Sequence, residues 1–353
     1  TNLHKISHFS ILKFIQCQCL DPCHINIRFV KKKLNKKSVI INSLLSLILG
    51  GVLFFLVFRS IDFSDFYARL NELNFYWIYL SMFISIFEHI IRAYRWNLMM
   101  EVGGNKKFST FVTTNVIIIS YFFALLIPRF NDVVRCYLIS KTNQINFSKS
   151  LGSVVSERII DLISLLIIIF FFLAIEFKNF MLFIKTYVID YTSLGNKSIF
   201  ITVSVMALAI ISTRYIITKS KFLQDKFSEF KEGFMSIRFL YNDKRFLLST
   251  VILWGTYFIM GYLIFFSFDQ TSGLGVYAGL AVLVAGSIGM VVPVNAGIGA
   301  YHFLVASILL SYNLDYQSGL FFATVLHTSQ IICLLVVGTL SSIYIFFKIR
   351  AKE

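Results

Sequence analysis

Residues 286–302 interrupt a long apolar stretch with four glycines, a proline and an asparagine. Backbone groups freed by such a break find no water at membrane depth, so the break persists only where protein or a wet cavity surrounds it. A second interruption, at residues 124–135, places Pro128 and several charged side chains after another apolar run. Because interrupted helices in both halves of a membrane protein are typical of transporter binding sites, the pattern predicts a transporter-like protein.

Composition supports a polytopic membrane protein. The chain is 57% hydrophobic and only 14% charged, whereas about a quarter of a soluble protein's residues are charged. Several apolar runs exceed the roughly 20 residues that a helix needs to cross a bilayer. The net charge of +15 is concentrated in a few segments between apolar runs, as the positive-inside rule predicts. We therefore expect no nucleic-acid partner.

The first 38 residues form a basic segment that begins with Thr1 and carries Cys17, Cys19, Cys23 and His24. Their spacing fits no standard zinc pattern, so we expect no metal site. We expect residues 1–38 to be a disordered or non-native leader, residues 39–347 a transmembrane domain and residues 348–353 a cytoplasmic basic tail. Cys136 and Cys333 lie in apolar segments, which favours packing residues over a disulfide.

Loop charge predicts the topology. Basic flanks place both ends of residues 109–143 in the cytoplasm, and alternation of the other segments places both ends of residues 276–311 outside. Two re-entrant, broken-helix hairpins satisfy both conditions. The fold prediction is an all-α membrane protein with two hairpins and six full spans, at about 39–58, 76–92, 150–174, 198–217, 246–266 and 318–346.

The predicted unit of span, hairpin and span occurs twice, at residues 76–174 and 246–346. The two copies enter the membrane from opposite sides, which is an inverted-topology repeat. Both termini are predicted to be cytoplasmic, in the inner membrane of a bacterium.

Four segments stand out together, namely RAYRW at 92–96, PRFNDVVR at 128–135, ERIID at 157–161 and PVNAGIG at 293–299. In this order they resemble the membrane region of lysylphosphatidylglycerol synthases. The resemblance covers about residues 39–347 and implies lipid translocation. We expect no synthase activity, because we expect no aminoacyl-transferase domain after Lys348. The chain differs from the family pattern at Asn131-Asp132, at 294–296 and at His302, where the family has Gly-Glu, Pro-Gly-Gly and an acid.

Charged residues within apolar segments form the first candidate site, because ionisable side chains are costly within a membrane and are usually functional there. Arg92 and Arg95, with Arg129 and Arg135 beside Pro128, could together bind a lipid phosphate, which suits the planar guanidinium. Two alternatives stay open. Arg92 and Arg95 could instead reach to the cytoplasmic interface, and Arg135 could pin the hairpin through Asp132.

Glu157, Arg158 and Asp161 form the second candidate group, near the start of a span. Arg158 is predicted to form a buried salt bridge to the hairpin, and the alternative is that this group takes part directly in substrate or proton coupling. In the second hairpin, Pro293, Asn295, Gly297 and Gly299 either present unwound backbone to a ligand or allow close helix packing. His302 either titrates or is a hydrogen-bonded core residue.

The functional expectation is a flippase or transporter for an anionic lipid or a polyprenyl-phosphate-type lipid. The alternative is a membrane-embedded transferase, or the accessory subunit of a lipid-modifying partner enzyme, in which Asp62 and Asp65 would act outside the membrane. The apolar residues around these two acids instead favour an interfacial amphipathic helix. No catalytic constellation and no nucleotide-binding loop is recognisable, so we expect no enzyme activity and no cofactor. The sequence does not predict the oligomeric state.

Overall fold

The computed structural model describes residues 63–102, 107–125, 130–143, 145–184, 242–292 and 294–351, with isolated positions at 51 and 55 and between 228 and 240. Every regular element in this part of the chain is helical. The helices are α1 (Phe63–Asn71), α2 (Phe75–Glu101), α3 (Thr110–Ala124), α4 (Asn131–Asn143), α5 (Phe147–Ile184), α6 (Lys244–Ile264), α7 (Asp269–Ser272), α8 (Val276–Val291), α9 (Ala300–Leu309) and α10 (Tyr316–Arg350), with short 3₁₀ turns at Phe265–Ser267, Asn295–Gly297 and Leu310–Tyr312.

The chain is a multi-pass membrane protein. Three of its described helical segments are long and apolar enough to cross a bilayer, namely Phe147–Phe177, Lys244–Ser267 and Tyr316–Arg350. Helix α2 has a comparable length of 27 residues, but charged residues interrupt its apolar character. The predicted spans 39–58 and 198–217, and the leader 1–38, lie outside the described residues.

Both predicted interruptions divide an apolar segment into two shorter helices that pack against each other, α3 with α4 and α8 with α9. Helix α3 has 15 residues and α8 has 16 residues. At 1.5 Å per residue they are about 22 and 24 Å long, which is shorter than the roughly 30 Å core of a bilayer. Neither helix has the length of a full span.

Special backbone conformations produce the second break. Gly297 and Gly299 have φ of 74° and 86°, and Ala296 has φ of 50°. Only glycine adopts positive φ without steric cost, so these two glycines let the chain turn between α8 and α9. Gly289 then brings α8 against the backbone of α9, because a Cβ there would lie 2.7 Å from Tyr301 Cα. Close packing through small residues therefore holds this pair together.

Other contacts join the first and second halves of the described chain. Helix α2 packs along α6, α3 along α10, and α8 along α5. Two buried apolar clusters result, one around the ends of α2, α3 and α4 and the other around α8, α9 and the first part of α10. Cys136 and Cys333 are buried free thiols, which confirms their prediction as packing residues.

Candidate functional site

Glu157 on α5 is the centre of a buried ionic cluster. Its Oε1 accepts hydrogen bonds from Arg92 Nη1 and Arg95 Nη2 of α2, both at 3.1 Å. Its Oε2 accepts a bond of 2.7 Å from Arg135 Nη1 of α4. The side chain of Glu157 is 0% exposed, so water cannot replace any of these partners. One carboxylate thus fixes α2, α4 and α5 relative to one another.

Helical spacing brings the other charges of the cluster onto the same faces. Glu88 lies four residues before Arg92 and accepts a bond of 3.0 Å from its Nε. Asp161 lies four residues after Glu157 and accepts a bond of 2.6 Å from Arg95. Residues four apart are neighbours on a helix surface. The Tyr257 hydroxyl on α6 contacts both Glu88 and Arg92, so the cluster extends to a fourth helix.

Asp132 and Arg158 form the edge of the cluster between α4 and α5. Arg158 donates to both oxygens of Asp132, from Nη2 at 2.8 Å and from Nε at 3.3 Å. Arg135 Nη2 lies 2.9 Å from Oδ1 of the same carboxylate. This arrangement is a forked guanidinium–carboxylate pair with a second arginine beside it, which is among the stronger polar contacts in proteins.

We call this set the Arg–acid cluster. Its members are Arg92, Arg95, Arg135, Arg158, Glu88, Asp132, Glu157 and Asp161. The formal charges of these members cancel. Exposure rises across the cluster, from 0% for the side chain of Arg95 to 29% for Asp132 and 39% for Arg158. The cluster is therefore closed at α2 and open between α4 and α5.

The buried arginines have more donors than their partners accept. Nε and Nη1 of Arg95 and Nε of Arg135 are buried and have no hydrogen-bond acceptor among the described residues. Leaving such a group unsatisfied costs about 1–3 kcal/mol, and more when it is charged. An added anion with several oxygen acceptors would use these donors.

Aromatic rings cover the arginines. The guanidinium of Arg135 lies 4.9 Å from the centre of the Trp96 ring, and Trp96 Nε1 donates to Ser153 Oγ at 2.9 Å. Tyr121 and Tyr257 both lie near Arg92, with ring centres 5.6 and 5.8 Å from its Cζ. Such contacts stabilise a buried guanidinium without neutralising it.

His302 and His327 lie in a separate group beside the second break. Gly299 N donates to His302 Nδ1 at 3.3 Å. The two imidazole centres are 5.0 Å apart, and the Tyr301 ring centre lies 4.9 Å from that of His327, with the two rings tilted by 31°. Both histidines are buried. In the described chain, no hydrogen bond or ion pair joins this group to the Arg–acid cluster.

The structure shows where several of the predicted site residues lie and which of their predicted contacts are present. Arg92 and Arg95 are 6% and 0% exposed, so the alternative in which they reach to the cytoplasmic interface is wrong. The predicted contacts of Arg135 with Asp132 and of Arg158 with the hairpin are present. Other predicted site residues lie outside the described part, namely Pro128, Arg129, Pro293 and the side chain of Asn295.

The sequence did not predict that two tyrosines contact Arg92. Tyr257 and Tyr121 are tyrosines in apolar helices, and only the fold brings them to Arg92.

In the described ranges no group of three or more His, Cys, Asp or Glu side chains is arranged to hold a metal. The amphipathic segment around Asp62 and Asp65 forms α1 from Phe63 onward; the side chains of these two acids lie outside the described set.

Comparison with known proteins identifies a membrane-protein family. A family model described as the lysylphosphatidylglycerol synthase TM region matches residues 43–338. No curated protein and no solved structure matches the chain. The matched range contains all eight members of the Arg–acid cluster and the second break.

Proposed function

Because the chain belongs to the lysylphosphatidylglycerol synthase TM region family, a membrane family linked to lipid handling, we propose that it moves an anionic, phosphate-bearing lipid across the cytoplasmic membrane of a bacterium. The observation that carries the proposal is the Arg–acid cluster, in which buried arginines have unused donors. The lipid phosphate would bind there, while the acyl chains stay in the bilayer.

The chemistry of the cluster suits a phosphodiester. Guanidinium groups bind phosphate through paired N–H donors. An ionisable cluster within membrane helices is costly, and functional proteins keep such clusters facing the interior or a cavity. The opening between α4 and α5 lies beside exposed apolar side chains of α5, including Leu162 and Leu166. A lipid entering there would keep its acyl chains against an apolar surface.

An inverted repeat would supply the alternating access that transport requires. In the proposed repeat α2, α3, α4 and α5 correspond to α6, α8, α9 and α10. Several contacts then have a counterpart, such as α3–α10 with α8–α5 and α4–α5 with α9–α10. The contact between α2 and α6 would lie on the axis that relates the two halves. The short lengths of α3 and α8 also support two re-entrant hairpins.

Translocation in proteoliposomes tests the proposal. Wild-type protein should expose a headgroup-labelled anionic lipid, such as phosphatidylglycerol, to a membrane-impermeant quencher faster than empty vesicles do. Arg158→Gln should reduce the rate by at least about tenfold, corresponding to about 1.4 kcal/mol. Arg245→Gln is the matched control, because Arg245 forms a similar forked pair with Asp243 at an exposed helix end.

The lipid panel should include a polyprenyl phosphate and a zwitterionic phospholipid. Transport of an anionic lipid that fails in Arg158→Gln and persists in Arg245→Gln would support the flippase. If folded protein moved none of the lipids, the flippase proposal would fail. The alternative would then be an accessory subunit of a lipid-modifying enzyme, to be tested by co-purification with a partner.

A further inference from the structure

Asp132 differs from the other carboxylates of the Arg–acid cluster in its position. It lies in the first turn of α4, and its side chain is 29% exposed, whereas that of Glu157 is 0% exposed. Glu157 is enclosed by three arginines and cannot leave without unpacking the helices. Asp132 lies at the opening between α4 and α5 and can turn toward solvent.

The contacts of Asp132 are those expected of a bound phosphate. Its two oxygens accept from Nη2 and Nε of Arg158, and Oδ1 also lies 2.9 Å from Arg135 Nη2. Two non-bridging phosphate oxygens would meet the same forked donors. The free N–H groups at the start of α4 also favour an anion at this place.

Charge balance favours exchange of the Asp132 carboxylate for the phosphate over addition of the phosphate to the intact cluster. The cluster is formally neutral, with four arginines and four carboxylates. An added phosphodiester would leave it with an excess negative charge in a poorly screened environment. If Asp132 moves out to solvent as the phosphate enters, the charge among the arginines stays constant.

We propose that Asp132 is a built-in stand-in for the lipid phosphate: it occupies the anion site of Arg135 and Arg158 and is displaced when the headgroup binds. This inference rests on the proposed function, since it names the place within the cluster where the lipid phosphate binds. It makes the site self-inhibited, because every binding event must first break the Asp132 contacts. A purely structural Asp132 would instead hold Arg135 and Arg158 in place for the ligand.

These two roles predict opposite effects of neutralising Asp132. If Asp132 occupies the site about nine-tenths of the time, its removal should tighten apparent phosphate affinity about tenfold. A positioning role predicts weaker binding by the same variant. Asp132→Asn retains the size of the side chain, and Asp132→Ser is a second neutral variant; either is decisive if it keeps the wild-type unfolding temperature. The matched control is Asp243→Asn, which removes the carboxylate paired with Arg245, an arginine outside the Arg–acid cluster.

Isothermal titration of the full chain in a neutral detergent measures the effect. One arm uses short-chain phosphatidylglycerol and the other inorganic phosphate. Tighter phosphatidylglycerol binding by Asp132→Asn, with Asp243→Asn unchanged, would support the exchange. An equal gain for inorganic phosphate would overturn the assignment to a lipid headgroup.

The remaining outcomes separate the two proposals. If wild-type protein binds phosphatidylglycerol and the neutral variants bind it equally or more weakly, the stand-in role of Asp132 is overturned and the proposed function stands. If neither wild type nor variant binds phosphatidylglycerol, the stand-in role of Asp132 for this headgroup is overturned, whereas the proposed function fails only if the folded protein also moves none of the panel lipids. Asp132→Glu, which keeps the charge on a longer side chain, should bind no more tightly than wild type.

Discussion

At the scale of single residues, the most constrained group is the Glu157 carboxylate. It is fully buried and accepts from Arg92, Arg95 and Arg135, which come from two different helices. Attraction between buried charges must offset a large desolvation cost. The attraction offsets the desolvation cost only while all partners are present. Loss of the Glu157 carboxylate alone should therefore destabilise the cluster.

Glu157→Gln should therefore destabilise the protein by about 3–5 kcal/mol, the usual cost of leaving a buried charge without its partner. The measurement is the unfolding temperature in detergent, followed by tryptophan fluorescence. Asp243→Asn is the control and should cost about 1 kcal/mol or less, because its partner Arg245 is mostly exposed to solvent. Equal unfolding temperatures for the two variants would contradict the central role of Glu157.

Local spacing explains which contacts could be predicted from sequence. Glu88 with Arg92 and Asp132 with Arg135 are four and three residues apart, so a helix alone brings each pair together. The contacts of Glu157 with Arg92 and Arg95 join residues separated by 65 and 62 positions. These contacts depend on how α2 packs against α5, and no local pattern contains that information.

At the scale of helices, glycines decide how closely neighbours approach. A Cβ on Gly289 would lie 2.7 Å from Tyr301 Cα, whereas one on Gly255 of α6 would meet nothing within 4 Å. Backbone cannot move aside as a side chain can, so the two positions should respond differently to the same substitution.

Gly289→Ala should destabilise by about 1–3 kcal/mol, the usual cost of overpacking. Gly255→Ala should be neutral or stabilise by up to about 1 kcal/mol, because glycine is unfavourable within a helix. Comparison of the two unfolding temperatures tests the packing of α8 on α9. A Gly289→Ala protein as stable as Gly255→Ala would show that these helices are farther apart than described.

The first turn of α10 depends on Asp315, which accepts from Ser318 N at 2.9 Å. Partial burial by itself would raise the pKa of Asp315, but hydrogen bonds from Ser318 and the charge of Arg69 outweigh it and lower the pKa below the ordinary 3.8. Because the pKa is lower in the folded state, the carboxylate stabilises the protein above pH 3.8, and this contribution is lost as the pH falls through the folded pKa.

Asp315→Ala should cost about 1 kcal/mol at pH 7, the usual value of a helix N-cap. Asp315→Asn should retain most of the cap, since asparagine also accepts the Ser318 N–H. The advantage of wild type over Asp315→Asn should shrink as the pH is lowered from 5 to 3. Unfolding temperatures across this range measure the difference; an advantage that grows in acid would contradict the direction of the shift.

At the scale of the whole molecule, the order of segments was largely predictable and their exact lengths were not. Apolar runs and loop charge located both breaks, because these properties are set within short windows. The predicted span 76–92 is part of a helix that continues to Glu101. Its last turns carry Arg92, Arg95 and Trp96, which are buried by α4 and α5 rather than by lipid, so hydropathy ends the span too early.

The inverted repeat predicts on which side of the membrane each loop lies, and single-cysteine variants test this prediction. In a background without the native cysteines, Lys107→Cys and Asn146→Cys flank the pair α3–α4, while Gly275→Cys and Gln317→Cys flank α8–α9; all four positions are exposed. If both pairs are re-entrant from opposite sides, a membrane-impermeant thiol reagent added to intact cells should label only Gly275→Cys and Gln317→Cys. Lys107→Cys and Asn146→Cys should react only after the cells are opened. If Lys107→Cys and Asn146→Cys instead reacted from opposite sides, α3–α4 would cross the membrane, and the two halves could not be inverted copies.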